Sequence, residues 1–235
     1  MSGIQLFSHH QYAQHTTLHD ELDADPIKQF QQWFKEAEAQ HVQEPEAVCL
    51  STVDPNTLIP SSRMVLLKQV DANGFCFYTN YSSRKGRELF PTPAREVHAS
   101  LCFYWREVER SVRIVGKVEK MTREETTTYF HSRPLDSQLG AWASQQSAPL
   151  ADRDTLHAAI EAKRQSLTDE ERSTGHVAPP PYWGGVRIRP KEIEFWQGQP
   201  NRLHDRILYT AAPPNFSAKV DGNVAHTWSK KRLSP

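Results

Sequence analysis

The sequence predicts an α+β fold in which helices are inserted into an antiparallel β-barrel, and three observations support this class. Five β-rich runs lie between residues 46 and 121 and are separated by turn residues, as at 71–74. Segments with helix-capping signals interrupt and follow these runs. The chain of 235 residues has no internal repeat and is long enough to bury a core as one domain.

The N-terminal part divides into an arm and a helix. Residues 1–24 are polar, rich in histidine and without periodicity, which predicts a mobile arm ahead of a single domain over 25–235. Asp25 suits the N-cap of the first helix and Pro26 suits its first position. Apolar residues then recur at helical spacing, which indicates an amphipathic helix: Ile27, Phe30, Trp33, Phe34 and Ala37.

The β-rich runs alternate with helical segments. The first five runs are EAVCLSTV (46–53), SSRMVLLKQV (61–70), GFCFYTN (74–80), EVHASLCFYW (96–105) and ERSVRIVGKVEKM (109–121). Three more follow at WGGVRIRP (183–190), EIEFWQGQ (192–199) and RLHDRILYT (202–210), before AHTWSKKRLSP (225–235) closes the chain.

Capping signals locate the helices between these runs. A short helix is predicted within SSRKGRELF (82–90). Thr122 and Glu125 form a capping box for a helix over 122–133. A further helix is predicted near 135–142, and another over 152–167, opened by Asp152 or the residue before it. Residues 169–182 are polar and end in prolines, which predicts a loop.

Composition argues against a general nucleic-acid or membrane binder, because 28 basic and 28 acidic residues give a net charge of zero. The charge is uneven, with −7 over residues 1–62 and +7 over 63–235, where every arginine lies. No run approaches the ~20 apolar residues that span a bilayer, and the N-terminus lacks the features of a signal or transit peptide. Cys49, Cys76 and Cys102 lie in apolar runs without a CxxC pair, which predicts buried reduced thiols and a cytoplasmic location.

Common catalytic and nucleotide-binding motifs are absent. The chain contains no GxGxxG, GxxxxGK[ST], HExxH or GxSxG motif. His15 and His19 have a spacing seen in metal sites, but they lie in the polar arm without a third ligand, so no metal site is predicted. His204 and Asp205 are adjacent on a predicted strand and would point to opposite faces, which argues against a direct proton relay.

Three clusters of basic and polar residues indicate anion binding. The first lies between residues 63 and 85 and has two parts. In one part, Arg63 and Lys68 bracket an apolar strand, and their odd spacing places them on opposite faces. The SSRK segment, Ser82, Ser83, Arg84 and Lys85, lies where a turn enters a helix, a place that favours phosphate. An ordinary exposed basic turn explains this segment equally well.

The second cluster is Tyr129, Arg133 and Ser137, spaced by four residues. They would share a helical face if the chain stayed helical, although Pro134 disturbs that. Together these side chains could clamp a phosphate, since the guanidinium fork supplies directional donors. The alternative is a helix-capping cluster beside a surface arginine.

The third cluster follows Trp196. Arg202, His204 and Arg206 alternate along strand-like sequence after a turn at 198–201, so they would share one face. Two arginines and a histidine side by side need negative charge nearby. An anionic ligand would supply it, and so would salt bridges with acids such as Asp205 or Glu194.

Six blocks together resemble the pyridoxine/pyridoxamine 5′-phosphate oxidase family. The blocks are RMVLLK, FYTN, SRK, YFHSRPLDSQLGAWASQQS, YWGG and IEFWQGQPNRLHDR, in the family's order and with nearly its spacing. The similarity extends from about residue 12 to the final RLSP. It implies an antiparallel, Greek-key-like split β-barrel with peripheral helices that forms a homodimer and binds FMN at the dimer interface.

The resemblance also implies an activity and two sets of residues. The activity is oxidation of pyridoxine or pyridoxamine 5′-phosphate to pyridoxal 5′-phosphate, with O2 reduced to H2O2. By matching position, the FMN set is Arg63, Met64, Val65, Leu66, Tyr78, Thr79, Arg84, Lys85, Gln146, Ser147, Trp196 and Arg206. The substrate set is Lys68, Tyr129, Arg133, Ser137, Arg202, Leu203 and His204.

Within the substrate set, Lys68, Tyr129, Arg133 and Ser137 resemble the family's clamp on the substrate phosphate. Arg202 and His204 resemble the catalytic pair that covers the substrate ring and orients its reacting carbon. For the family the cofactor supplies the redox chemistry and the protein supplies position and electrostatics.

The sequence departs from the family pattern at four places. Ser111 stands where the family usually has a glutamine on FMN, and LFPTPAREVH (89–98) is about four residues longer than expected. His9 occupies the place of an arm arginine, which leaves Tyr12 as the better-matched arm contact to substrate. AAPPNFSAKVDGNV (211–224) is a variable turn.

Two alternatives stay open from the sequence. One is a split-barrel flavoenzyme with another substrate, and the complete phosphate clamp argues against it. The other is a non-catalytic carrier of FMN or a vitamin B6 phosphate, and the presence of Arg202 and His204 favours catalysis.

Overall fold

The structure is a computed structural model that describes residues 12, 18, 22–212, 219–220, 223–224 and 227–235. Its helices are α1 (Pro26–Ala39), α2 (Arg84–Leu89), α3 (Arg123–His131), α4 (Leu135–Ala143), α5 (Arg153–Gln165) and α6 (Asp169–Thr174). The first strands are β1 (Ala47–Val53), β2 (Pro60–Leu66), β3 (Gln69–Asp71), β4 (Gly74–Asn80), β5 (His98–Trp105) and β6 (Arg110–Lys120). The others are β7 (Trp183–Gln197), β8 (Asp205–Ala211), β9 (Lys219–Val220), β10 (Asn223–Val224) and β11 (Trp228–Leu233).

The predicted helix starts are confirmed. The Asp25 side chain accepts a hydrogen bond from the Ile27 amide with Pro26 at the first position of α1. Thr122 and Glu125 form the complete capping box of α3, and Asp152 caps α5. These capping interactions involve residues within one turn of helix, so the helix starts can be predicted from the sequence without tertiary information.

Among the described strands, one sheet has the order β11-β8-β7-β6-β5-β1-β2, and β4 pairs with β3 and with β7. The pairs β7–β8, β8–β11, β3–β4 and β4–β7 are antiparallel. The contacts divide the chain into two compact units, and β1, β5, β6 and β7 contribute residues to both.

Unit 1 comprises residues up to Val48, Leu101–Val115 and Pro190–Pro235. Its core contains the apolar face of α1, where the Phe30 ring lies 5.1 Å from that of Phe103 and Trp33 lies 5.1 Å from Phe195. The Arg110 guanidinium covers the outer side of Trp33, with its central carbon 4.4 Å from the ring centroid, and also pairs with Glu36.

Strands β8 and β11 of unit 1 together hold Leu18, a residue of the N-terminal segment. Asp205 accepts a hydrogen bond from the Leu18 amide at 3.0 Å and pairs with Arg232 on β11. Arg232 also donates to the Leu18 carbonyl at 2.7 Å, and Leu18 is buried. Most of the predicted mobile arm over 1–24 lies outside the described residues.

Unit 2 comprises Cys49–Ser100 and Gly116–Arg189. Strand β4 lies between β3 and β7, and Phe75 and Phe77 are buried in it. Helices α4 and α5 pack around a smaller apolar cluster that includes Leu139, Leu167 and Val177. This unit carries the basic and aromatic side chains that the sequence singled out between residues 63 and 147.

Four predictions of local structure are wrong in detail. The run 61–70 breaks into β2 and β3 around Leu67 and Lys68, so the premise of one regular strand from Arg63 to Lys68 fails. The two predicted strands over 183–199 are the single strand β7. The predicted loop over 169–182 contains α6, which a capping box of Thr168 and Glu171 begins.

The fourth error concerns the cysteines. All three thiols are free, but only Cys76 is buried, while Cys49 is partly exposed and Cys102 is exposed. Cys102 lies on β5, whose alternating pattern turns that position outward. In the described part of the chain, no helix is long and apolar enough to cross a membrane.

Candidate active site

In unit 2 one buried carboxylate forms ion pairs with two of the predicted arginines. Glu88, on α2, pairs with Arg63 at 3.2 Å and with Arg84 at 2.9 Å. Burial opposes ionisation of Glu88, but hydrogen bonds from Thr52, Ser61 and Arg84 outweigh it and hold its pKa below the ordinary range. One negative charge therefore faces two guanidinium groups.

Next to this group, three more predicted residues meet at an amide. The Thr79 hydroxyl and the Lys85 ammonium both donate to Oε1 of Gln146, at 3.2 and 2.8 Å. Burial lowers the pKa of Lys85, and the charge of Arg63 lowers it further. Ser147 follows with a positive φ of 71°, an uncommon conformation for a residue with a side chain.

The remaining predicted residues of β2 are apolar, and two of the three side chains are exposed. Met64 is 62% exposed and Leu66 41% exposed, and Val65 is partly buried. Lys68 lies just beyond the end of β2, where its amide donates to the Cys76 carbonyl at 2.8 Å and its side chain is exposed.

Three aromatic rings form a parallel stack beside Lys68. The Tyr78 and Tyr129 centroids are 3.8 Å apart, and those of Tyr78 and Trp183 are 5.4 Å apart, with the planes 15° apart in each pair. Burial raises the pKa of Tyr78 to about 12 and also raises that of Tyr129, so both hydroxyls stay protonated as donors at neutral pH. Lys68, Tyr78 and Tyr129 line a cavity of about 460 Å³ together with Glu124 and Glu125.

Arg133 has no carboxylate partner within the described residues. Its central carbon lies 4.9 Å from the Trp183 ring centroid and 5.4 Å from that of Phe130. Its NH1 group is buried without a hydrogen-bond acceptor. Burial lowers the pKa of Arg133, while Tyr129 opposes that shift. An uncompensated, partly buried guanidinium of this kind calls for an external anion.

Tyr129, Arg133 and Ser137 do not share a helical face, because the chain breaks at Pro134, where the sequence indicates a disturbance. Helix α3 ends at His131, and Pro134 begins α4, because proline cannot continue the hydrogen-bond ladder of α3. A buried glutamine bridges this break. Gln138 donates to the Arg133 carbonyl at 2.8 Å and to the Gly175 carbonyl at 3.2 Å, and it accepts from the Val177 amide at 2.9 Å.

Unit 1 holds a second predicted group, of three rings. Tyr12 contacts Trp196 at 5.5 Å and His204 at 5.4 Å between centroids, and Trp196 and His204 are 4.7 Å apart. Gly198 lies against Tyr12 so closely that a Cβ there would come within 2.8 Å of its ring. This close approach explains the glycine in the turn after β7.

His204 is oriented by the backbone. The Gln199 amide donates to its Nδ1 at 3.2 Å, which leaves the proton of the neutral ring on Nε2. Burial lowers the pKa of His204, and the charge of Arg202 lowers it further. The imidazole is therefore neutral at pH 7. Its Nδ1 is occupied, and Asp205 binds Leu18 and Arg232, so the prediction against a relay stands.

The prediction that Arg202, His204 and Arg206 alternate on one strand is wrong. Residues 200–202 form a 3₁₀ turn, Asn201 and Arg202 have positive φ values of 57° and 63°, and β8 begins only at Asp205. Leu203 is 69% exposed between them. The Asn-Arg pair at positive φ points to a specialised turn that hydrophobic alternation cannot reveal.

For Arg206 the structure favours the salt-bridge alternative. Glu194 accepts from Arg206 at 2.8 Å and from Arg113 at 2.5 Å. Burial opposes the ionisation of Glu194, but these bonds outweigh it and hold its pKa below the ordinary range. Glu194 and Arg113 line a cavity of about 330 Å³ with Tyr12, Ser111 and Trp196. The Ser111 hydroxyl donates to the Phe103 carbonyl at 2.8 Å.

The sequence offers Glu194 as a salt-bridge partner of Arg206, but it does not single out three other residues that organise these groups: Glu88, Gln138 and Trp183. Each acts on a predicted residue through tertiary packing or a hydrogen bond, and none carries a local motif. Gln138 and Trp183 lie within blocks that the resemblance singled out, and Glu88 lies outside them. No group of three or more potential metal ligands is arranged around one point among the described residues.

Two family models match this chain. A family model described as pyridoxamine 5′-phosphate oxidase matches residues 34–166, and one described as the pyridoxine 5′-phosphate oxidase C-terminal dimerisation region matches 183–235. The chain belongs to the pyridoxine/pyridoxamine 5′-phosphate oxidase family. This confirms the family that the sequence blocks resemble.

Curated members of the pyridoxine/pyridoxamine 5′-phosphate oxidase family are similar over nearly the whole chain. One from Burkholderia lata is 49% identical over 218 residues, which cover 92% of each chain. One from Salinibacter ruber is 44% identical over 225 residues, or 96% of each chain. One from Acaryochloris marina is 46% identical over 95% of this chain and 92% of its own.

Solved structures agree on the fold. PhzG from Burkholderia lata 383, in complex with tetrahydrophenazine-1-carboxylic acid, has a TM-score of 0.75 at 30% identity, covering 92% of this chain and 95% of its own. A pyridoxamine 5′-phosphate oxidase-related, FMN binding protein from Nostoc punctiforme has a TM-score of 0.62 at 15% identity, with coverages of 88% and 97%. The predicted split-barrel fold class is confirmed.

Proposed function

We propose that the chain oxidises pyridoxamine 5′-phosphate and pyridoxine 5′-phosphate to pyridoxal 5′-phosphate, with FMN as cofactor and O2 as the electron acceptor. The observation that carries the proposal is Arg133, whose buried NH1 lacks an acceptor. The phosphate of the substrate would satisfy it. Tetrahydrophenazine-1-carboxylic acid, held by the similar PhzG structure, offers one carboxylate, whereas a phosphate dianion could accept hydrogen bonds from Lys68 and Tyr129 as well as from Arg133.

The substrate phosphate would be held by Lys68, Tyr129, Arg133 and Ser137. Lys68 and Tyr129 line the same cavity, and the raised pKa of Tyr129 keeps its hydroxyl a donor. Arg133 supplies a guanidinium that pairs with no carboxylate among the described residues. A charge-assisted hydrogen bond from Arg133 contributes roughly 1.5–3 kcal/mol. These contacts bind and orient the substrate.

The residues proposed for FMN fit its phosphate by their charge. Arg63 and Arg84 both pair with the one carboxylate of Glu88, and Lys85 adds a third positive charge whose pKa is lowered by burial and then by Arg63. A phosphate dianion would balance this excess of positive charge. Thr79, Gln146 and Ser147 would add neutral hydrogen bonds, and Met64, Val65, Leu66 and Tyr78 would contact the cofactor through β2 and β4. Trp196 and Arg206 complete the proposed set, and Ser111 is bonded to its own sheet.

When bound, FMN supplies a two-electron acceptor that returns its electrons to O2 and yields H2O2. The chain's own contribution is position. Arg202 and His204 would cover the substrate ring and orient its reacting carbon. His204 is neutral and fixed through Nδ1, so Nε2–H is available as a hydrogen-bond donor. Tyr12 and Trp196 pack on His204 and restrict its rotation.

We further propose that the active form is a homodimer that holds FMN at the interface between two copies. The match of residues 183–235 to a dimerisation region supports a dimer. The exposed apolar side chains of Met64, Leu66 and Leu203 are available for such contacts.

An anaerobic spectrum tests the function directly. The protein is reconstituted with FMN, and pyridoxamine 5′-phosphate is added without O2. Bleaching of the bound flavin, reversed by air with release of H2O2, is the expected result. A bound flavin that stays oxidised would instead indicate a carrier or another substrate. Failure to bind flavin would overturn the proposal.

A further inference from the structure

Arg133 differs from Arg63, Arg84 and Arg206 in how its charge is compensated. Arg63 and Arg84 pair with Glu88, and Arg206 pairs with Glu194. Arg133 faces the π-surface of Trp183 instead, at 4.9 Å. An aromatic face attracts a cation but accepts no strong hydrogen bond, so the guanidinium keeps its N–H donors for another partner.

Trp183 is itself held rigidly on several sides. The ring is 7% exposed, and Phe130 meets it edge-on at 4.8 Å. The stacked Tyr78 ring lies on it at 5.4 Å. Its carbonyl accepts from Arg123 at 3.2 Å, and its amide donates to the Pro180 carbonyl at 3.1 Å. The indole therefore has little freedom to follow the arginine.

We propose that Trp183 is a positioning residue that holds the Arg133 guanidinium without accepting its N–H hydrogen bonds. Trp183 thereby sets the preference of the site for phosphorylated substrates. The proposal rests on the proposed function. A carboxylate in place of the indole would anchor Arg133 equally well, but it would consume the same donors and repel the phosphate. The π-face anchors the cation without that competition.

The test is a double-mutant cycle at these two positions. In Trp183→Leu, KM for pyridoxamine 5′-phosphate should rise between about 3-fold and 30-fold, the range of a cation–π contact, while kcat changes little. Trp183→Phe should give a smaller rise because phenylalanine keeps a weaker π-face. In an Arg133→Ala background, the same Trp183 substitutions should leave KM unchanged.

Substrate comparison separates positioning from general damage. The ratio of kcat/KM for pyridoxamine 5′-phosphate to that for unphosphorylated pyridoxamine should fall in Trp183→Leu. The inhibition constant of inorganic phosphate should rise by a similar factor. A purely structural defect would lower kcat/KM for both substrates and leave their ratio unchanged.

Trp142→Leu is the matched control. Trp142 belongs to the same unit, and the Lys163 ammonium lies over its ring, also at 4.9 Å. Neither Trp142 nor Lys163 is among the predicted binding residues. Loss of Trp142 should leave the ratio unchanged. If Trp183→Leu does not fold, the cycle is run with Trp183→Phe alone. Additive effects of the Trp183 and Arg133 substitutions would overturn the inference, whereas a wild-type protein without oxidase activity would overturn the proposed function.

Discussion

In the cluster of Arg63, Arg84 and Glu88, two positive charges share one carboxylate. Glu88 is 3% exposed, and removing its charge deprives both guanidinium groups of the counter-ion that they bind directly. The cost should be less than for a fully buried ion pair because Arg84 is 56% exposed. The same imbalance is what makes this cluster suitable for a phosphate.

Glu88→Gln should lower the free energy of unfolding at pH 7 by roughly 2–3 kcal/mol, measured by urea denaturation. Because the pKa of Glu88 is depressed in the folded state, its stabilisation is complete above the ordinary value of 4.5 and is lost as pH falls below it. The difference between wild type and variant should therefore shrink as pH falls from 6 to 3. Glu161→Gln, which removes an exposed partner of Arg164, is the control and should change stability little. A difference that is constant with pH would contradict this account.

The neutral state of His204 depends on burial and on Arg202. We expect NMR titration of the imidazole resonances to give a pKa for His204 below 6.5. In Arg202→Gln this pKa should move upward, because removal of a nearby positive charge favours the imidazolium. The other histidines serve as internal references within each titration. An unchanged or lower pKa in the variant would show that Arg202 does not act on His204.

At the scale of elements, the break between α3 and α4 depends on one buried side chain. Gln138 joins the carbonyl of Arg133 to the backbone at Gly175 and Val177, although these segments lie about 40 residues apart in the chain. The position of Arg133 therefore follows from α4 and the segment after α6, as well as from α3.

Gln138→Leu should cost about 2–4 kcal/mol of stability, because three backbone hydrogen bonds lose their partner. Hydrogen exchange of the Val177 amide should accelerate more than that of amides in α1. Gln165→Leu is a matched control, since the Gln165 side chain is exposed and donates to the neighbouring side chain of Glu161. Equal protection of Val177 in wild type and Gln138→Leu would contradict the bridging role.

Elements were predictable where their signals are local. The caps Asp25, Thr122 and Asp152 and the alternation of the β-rich runs gave correct helices and strands. The capping box at Thr168 is equally local, but the polarity and prolines of residues 169–182 predict a loop and so obscure α6. The turn at Arg202 was missed for a different reason, since its positive φ leaves no mark on hydrophobic alternation.

The candidate site was predictable as a set of residues but not as an arrangement. Matching blocks named Arg63, Arg133 and Arg206, yet the partners of these arginines are Glu88, Trp183 and Glu194. Arg133 and Trp183 are 50 positions apart, and no periodicity links them. Whether an arginine is neutralised by its own fold is a tertiary property, and here it separates Arg133 from the other two.

For the whole molecule, the proposed dimer makes assembly and cofactor binding interdependent. Sedimentation velocity should give twice the chain mass of 26.9 kDa for the FMN-loaded protein. Dilution that produces monomers should release FMN with the same midpoint, because ligand binding to one assembly state stabilises that state. Flavin fluorescence of the diluted samples measures the release. A monomer that retains FMN would contradict an interface site.

The pairing of Arg232 with Asp205 and Leu18 has a consequence for truncation. Residues 18 and 232 are 214 positions apart. Arg232 donates to the Leu18 carbonyl, and the Asp205 carboxylate binds both the Leu18 amide and Arg232. Shortening the chain by a few residues after Lys231 would remove a strand end and, with it, the anchor of a segment that precedes the first helix. Proteolysis near residue 18 would therefore become faster when the opposite end of the polypeptide is trimmed.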